Sequence, residues 1–433
     1  MSIKLKLPWM LVGAGLLAQE PLTVAEAIQR AWKDQAGLRA GQALVEARQA
    51  DAEALRGLRL PSLTLSANGV RTNEPMQTFG IKLNQARITA SDFNPASLNH
   101  PDPISAFGGT FVVQQPLYAG GRIRSASRAG AFMAQAEQAS QERRKQETAQ
   151  LVVEAYFGAQ AAEQALAWAD ETLAWVRGLQ AFVDARVAQG LMLEAEAQRL
   201  KAAQAQVEAQ RAEAQARVRN ARSGLGLLTG SGPFQGSFAT QLASELPEAA
   251  PEGKRADVAA ASLQAQAAQE QAKAASGSLR PEVGLELGAG ALHQSWSEKG
   301  NWTWAAVGVK WRVFSAPDRS KANAARAQAR AAEESRTFKQ QQAEHEVRVA
   351  REGILAAEAR VAAARQAMAA AEESKRLREA RHREGLTPLT DVLDAEAARQ
   401  GARALLLQSL YDLRTSRAAL DLATGAPIEG VKP

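Results

Sequence analysis

The chain has no cysteine, few aromatics and long stretches without proline, and each shortage excludes something. Without cysteine there is no disulfide framework, no thiolate metal site and no lipid-modified N-terminal cysteine. Aromatic residues make up 5% of the sequence, too few for the thick core of a mixed α/β enzyme. Proline is absent from residues 117–232 and 318–387, so nothing there interrupts a helical hydrogen-bond ladder. At about 1.5 Å rise per residue, a helix of about 65 residues is roughly 100 Å long. Long apolar runs are also scarce: beyond the N-terminus no segment reaches the roughly 18 to 20 consecutive apolar residues of a membrane-spanning helix. The four histidines, His100, His293, His345 and His382, stand apart and suggest no metal cluster.

What is abundant is Ala, Gln, Glu and Arg, the usage of long helices. The formal charge of +6 would suit a nucleic-acid partner. The basic residues, however, alternate with Glu and Asp, and Arg143-Arg144-Lys145 is their densest run. The charge therefore belongs to solvated helix faces, and no nucleic-acid partner is expected. At the N-terminus, Lys4 and Lys6 precede an apolar segment over residues 7–17, with Ala18 a small residue for cleavage. Residues 1–18 read as a secretory signal peptide, although Leu16 departs from the small-x-small pattern. A buried N-terminal helix is the alternative.

Along the chain, residues 22–60 read as a helix capped by Thr23, with Ala25, Ile28, Ala31 and Trp32 at helical spacing. After Pro61 the period switches to two, giving a strand over about 62–72 whose Leu63 and Leu65 alternate with Ser62, Thr64 and Ser66. Residues 71–106, rich in Asn, Pro, Ser and Asp, read as a long loop. A second strand over about 107–117 turns through Gly120-Gly121 into a helix over 123–189, a break at Gly190, and a helix over 193–228. A turn-rich linker, 231–254, follows.

The order then repeats. A helix over 255–278 precedes strands over about 281–291 and 302–314, a helix over 321–384 breaks at Gly385, and a last helix spans 388–423. Gly190 to Gly230 and Gly385 to Gly425 are both 40 positions apart, and both intervals end in Leu-x-Thr-Gly. Tyr118 and Ala126 at the first strand-to-helix junction are answered by Phe314 and Ala322, each 196 positions on. The chain is thus one unit written twice, 19–230 and 255–425, with a tail over 426–433. The second junction has Ala316-Pro317-Asp318 in place of glycines, so the two joints are expected to bend differently.

Four strands with one apolar face cannot close a barrel, and bilayers accept strands only in closed barrels of eight or more. Leu63, Leu65, Val283, Leu285, Val307, Val309 and Trp311 would face lipid if copies associated, and three copies would supply twelve strands. Trp296, Trp302, Trp304 and Trp311 cluster in or beside the last hairpin, where an aromatic girdle belongs. A soluble sandwich hairpin packed on helices is the competing reading.

Four motifs now point in one direction: LTVAEAIQRA from Leu22, LPSLTLSA from Leu60, QQPLYAGGR from Gln114 and GLTPLTDVLDAEAA from Gly385. In this order, on a duplicated frame, the chain resembles the TolC-type outer-membrane channels of efflux pumps and type I secretion over roughly residues 20–427. The resemblance implies a mainly α fold with membrane β: a homotrimer whose twelve-stranded β-barrel is continued by an α-helical tunnel across the periplasm. It implies a periplasmic adaptor, an inner-membrane transporter and outer-membrane lipid as partners, with no cofactor. No catalytic constellation emerges, so the chain reads as a conduit and not an enzyme. A periplasmic coiled-coil adaptor or scaffold without a pore is the alternative.

Asp391 and Asp394, three apart at the start of the last helix, share one face. They suit a helix start, with Thr387 as cap, Pro388 at the first position and acids against the positive helix end. The resemblance gives them a second role, stacked acidic rings that narrow the periplasmic mouth and select cations. Glu196 is the corresponding acid of the first repeat, 195 positions earlier, and suits either the same mouth or a salt bridge within the helix array. Gly190-Leu191 and Gly385-Leu386 would be hairpin tips that meet the adaptor, or simple turns. Relatives place a basic residue near Thr387 and an aromatic near His382, and this chain has neither, which leaves its gating network open.

Overall fold

The computed structural model describes residues 21–243, 245–247, 251–293 and 300–432. The expected signal peptide and Trp296 lie outside the described residues. Among those residues no helix is long and apolar enough to cross a membrane.

Thr23 caps α1 (Val24–Asp34) in a capping box with Glu26, and the stripe Val24, Ala27, Ile28 and Ala31 is buried. The single helix expected over 22–60 is instead two. Gln35 leaves helical space at ψ 124°, and α2 (Ala36–Gly57) starts afresh. The nearest breaker residue, Gly37, lies two positions on inside the first turn of α2, so it did not by itself place the break at Gln35.

Four strands follow the two-residue period: β1 (Ser62–Thr72), β2 (Ile104–Ala119), β3 (Glu282–His293) and β4 (Asn301–Lys310). They form one antiparallel sheet in the order β1-β2-β3-β4. The expected loop at 71–106 carries α3 (Pro75–Asn84), a single 3-10 turn and α4 (Pro95–Asn99). Pro75 and Pro95 start these helices, where the missing N–H costs nothing, so residues read as breakers act as initiators. The remaining helices are α5 (Arg122–Ala188), α6 (Glu194–Leu228), α7 (Ala256–Gly277), α8 (Ala316–Arg383) and α9 (Leu389–Thr424). The second half repeats the order strand, strand, long helix, helix, with one helix before its strands and no counterpart of α3 and α4 among the described residues.

The first junction turns through Gly120 and Gly121 at φ 62° and 85°. The second has no positive φ among its described residues; there Arg312 pairs with Asp318 at 3.0 Å.

Contacts divide the chain into two compact units. One comprises Met1–Gln42, Gln141–Ala256 and Gln341–Pro433. Its main core gathers Ile28, Val152, Val153, Tyr156, Phe157 and Leu225, with the Tyr156 hydroxyl donating to the Leu22 carbonyl at 2.6 Å. Its second core joins Leu173, Val176, Val183, Leu200 and Leu389. The other unit, Ala43–Ser140 with Asp257–Gln340, holds the sheet.

Strand register sorts the sheet into two faces, because residues opposite one another project the same way. Leu63 pairs with Val113 and Leu65 with Phe111. Val113 pairs with Leu287, and Leu285 and Val283 pair with Val307 and Val309. This face is apolar from edge to edge. On the other, Ser62 pairs with Gln114, Ser66 with Thr110, and Gln114 with Glu286.

Candidate functional site

Two places stand out, the exposed apolar sheet face and the paired hairpin tips. On the sheet, Leu65 is 81% exposed, and Leu63, Val307 and Val309 are nearly as open. Val283 and Leu285, on the inner strand, are half-buried. Apolar side chains presented so fully to one side need another apolar phase to cover them.

Trp311 lies just beyond the paired strand and is exposed. β4 ends at Lys310, short of the expected 314, and the Trp311 indole N–H reaches back to the Leu279 carbonyl at 3.2 Å. Trp302 and Trp304 also depart from the girdle expectation. Trp302 pairs with Gly290 and Trp304 with Gly288, and the indoles occupy the space that β-carbons on those glycines would need. Both rings therefore lie on the polar face.

At the tips, one hydrogen-bond pattern appears twice. Gly190 N–H donates to Val187 and Leu191 N–H to Arg186; Gly385 N–H donates to His382 and Leu386 N–H to Arg381. These are Schellman turns, and they need the left-handed φ of 70° and 75° that Gly190 and Gly385 supply. The turns leave Leu191 63% and Leu386 70% exposed. Leu193, which the motif reading passed over, is as open.

Between the tips lies a cleft of about 430 Å³ lined by Phe182, Met192, Glu196, His382 and Leu389 among others. The structure thus brings Glu196 beside the second tip. His382 is buried, and its Nδ1 lies 2.8 Å from the Thr387 carbonyl. The two positions that depart from the family pattern are bonded to each other.

Asp391 lies half-buried in the first turn of α9, 3.8 Å from Arg378, and Asp394 is exposed one turn on. The expected cap is not made: Pro388, not Thr387, occupies the N-cap position, with no side-chain capping bond. The acids thus complement the helix end by charge alone.

Sequence reasoning missed the densest charge cluster. Glu396 is buried against Lys375 at 2.8 Å and Arg399 at 3.0 Å, and it accepts from Thr172 Oγ1 at 3.3 Å. Glu171 takes Arg399 at 3.1 Å and Arg403 at 2.9 Å. Lys375 sits 4.3 Å from the Trp175 ring. Burial opposes ionisation of Glu396, but Arg399 and Lys375 outweigh it and hold its carboxyl below the usual range. The Arg403 hydrogen bond does the same for Glu171. The cluster ties α5, α8 and α9 together. The Glu396–Arg399 spacing was a visible signal, whereas its long-range partners were not.

No three His, Asp or Glu side chains converge as metal ligands among the described residues. The model of the outer membrane efflux protein family matches residues 27–231 and 252–426. The chain belongs to the outer membrane efflux protein family. No functionally curated protein matches it. Solved structures show the same fold. A membrane protein from Pseudomonas aeruginosa is 19% identical, with a TM-score of 0.82 and coverage of 94% of this chain and 91% of that one. The outer membrane protein VceC from Vibrio cholerae is 20% identical, with a TM-score of 0.78 and coverage of 93% and 96%. The MtrE outer membrane channel from Neisseria gonorrhoeae, in its open state, is 19% identical, with a TM-score of 0.77 and coverage of 95% and 90%. This efflux-family chain carries the family's fold: duplicated long helices with four antiparallel strands.

Proposed function

We propose that three copies of the chain assemble into an outer-membrane duct, with the sheets closing a twelve-stranded barrel and the helices forming a periplasmic tunnel. The observation that carries this reading is the sheet. Its outer face is apolar and exposed, and β1 and β4 end the sheet with one edge each unpaired among the described residues. Unpaired edges in hydrocarbon cost several kcal/mol per polar group, so such a sheet is stable in a bilayer only when further copies close it.

The exposed leucines of the tips suit docking of a periplasmic adaptor, which would couple the duct to an inner-membrane transporter in a tripartite pump or a type I secretion system. Asp391 and Asp394, repeated threefold, would ring the periplasmic mouth, attracting cations and repelling anions, with Glu196 near the same mouth. A scaffold without a pore would have no use for the apolar sheet face.

Protein extracted from membranes and placed in planar bilayers should give discrete, cation-selective channels. Asp391→Asn with Asp394→Asn should raise conductance and weaken selectivity. Channels with unchanged selectivity would leave the two acids as helix-start residues, and the absence of channels would sink the duct.

A further inference from the structure

The polar face of the β3–β4 hairpin is not a uniform wet wall. From the helix end upward it presents Glu282 opposite Lys310, Gly284 opposite Gly308, Glu286 opposite Ala306, Gly288 opposite Trp304, and Gly290 opposite Trp302. Gly308 has open space where a β-carbon would point. The next glycines up, Gly288 and Gly290, are overlain by the indoles of Trp304 and Trp302. The two tryptophans, two residues apart on one strand, are half-buried and form adjacent aromatic surfaces.

Beside them stands one carboxylate whose geometry is fixed. Glu286 Oε1 accepts from Trp304 Nε1 at 3.1 Å, and Oε2 accepts from Gln114 Nε2 at 3.2 Å. Both donors are neutral, so they orient the charge without cancelling it. No described Lys or Arg forms an ion pair with it. An indole ring carries negative charge density on its face, and a carboxylate alongside adds a full charge of the same sign. Packing of tryptophan over strand glycine is also a device that stabilises sheets. That device explains the rings over the glycines. It does not call for a carboxylate held by the indole N–H with no cationic counterpart.

We propose that Trp302, Trp304 and Glu286 form a binding platform for aromatic organic cations on the water-facing wall of the barrel. The rings stack the flat apolar body of the ligand, and the carboxylate faces its charge. This rests on the duct reading, in which the polar face lines the lumen and the platform occurs three times.

The test is fluorescence anisotropy of the aromatic cation ethidium against the detergent-extracted protein, with the aromatic anion fluorescein as the charge control. Wild type should bind ethidium and not fluorescein. Trp302→Leu and Glu286→Gln should each weaken ethidium binding by roughly two- to fivefold. Trp302→Phe keeps a ring and should retain most of it, which separates the platform from a merely stabilising role if the leucine variant folds poorly. Ethidium affinity unchanged by both Trp302→Leu and Glu286→Gln, or fluorescein bound as well as ethidium, would overturn the platform. If bilayers show channels while the variants have no effect, the platform alone fails; if bilayers show no channels, the lumen and the platform fail together.

Discussion

Glu396 and Asp421 are both buried acids on α9, and their surroundings send them in opposite directions. At Glu396 the cationic neighbours win and the carboxyl stays low, so its contribution to stability is present above the unfolded value and lost as pH falls through the folded one. Glu396→Gln removes the buried anion that Lys375 and Arg399 share, leaving Arg399 with Glu171 and Lys375 with the longer Glu379 contact at 3.6 Å, and the expected loss is up to about 3 kcal/mol, read from thermal unfolding of the helical signal. The exposed Arg376–Glu373 pair is the control, and Arg376→Ala should leave the midpoint unchanged. At Asp421 burial outweighs Arg417 and lifts the carboxyl from 3.8 to about 6. The folded chain then holds a proton that the unfolded chain releases, so this term favours the fold below about pH 4 and is lost as pH rises through about 6. Asp421→Asn keeps an acceptor for Arg417 Nε, which lies 3.1 Å away. It should raise stability near pH 7.5 by up to about 3 kcal/mol and flatten the pH dependence between about 4 and 6.

Neighbouring residues of β1 are expected to respond in opposite ways to the same substitution. Leu65 projects to the apolar face with Phe111, and Ser66 bonds Thr110 Oγ1 at 2.6 Å on the polar one. Leu65→Arg should cost about 2 to 4 kcal/mol if that face meets lipid, lowering the yield of folded protein in membranes, while Ser66→Arg should be tolerated. Equal yields for the two variants would place both faces in water. That alternation was legible in the sequence, since a period of two needs only the strand itself. So were the helix breaks at Gly190 and Gly385, because a Schellman turn advertises itself through glycine. The break at Gln35 was not legible, because Gly37, the nearest breaker, lies inside the helix that follows it. Nor were the helices at 75–84 and 95–99, whose prolines signal either a turn or a helix start. The same alternation puts Trp302 and Trp304 on the face opposite Val307 and Val309, but their placement over Gly290 and Gly288 depended on register. Register is a property of two strands and not of one.

At the scale of the molecule, the chain is one repeat written twice, and its sheet leaves one edge of β1 and one of β4 unpaired among the described residues. The family fold carries the long helices; the edges carry the argument for assembly. In the proposed trimer each copy would donate β1 to the β4 of a neighbour and so remove those edges. The absence of cysteine makes this directly measurable. Cysteine in place of Thr64 on β1, combined with single cysteines scanned along residues 303–309 on β4, can be oxidised in native membranes and resolved on a denaturing gel without reductant. The account predicts that at least one pair gives a ladder of cross-linked species ending at three chains. A ladder that runs past three, or no cross-link at any position in protein shown to be folded, would contradict the closed threefold barrel.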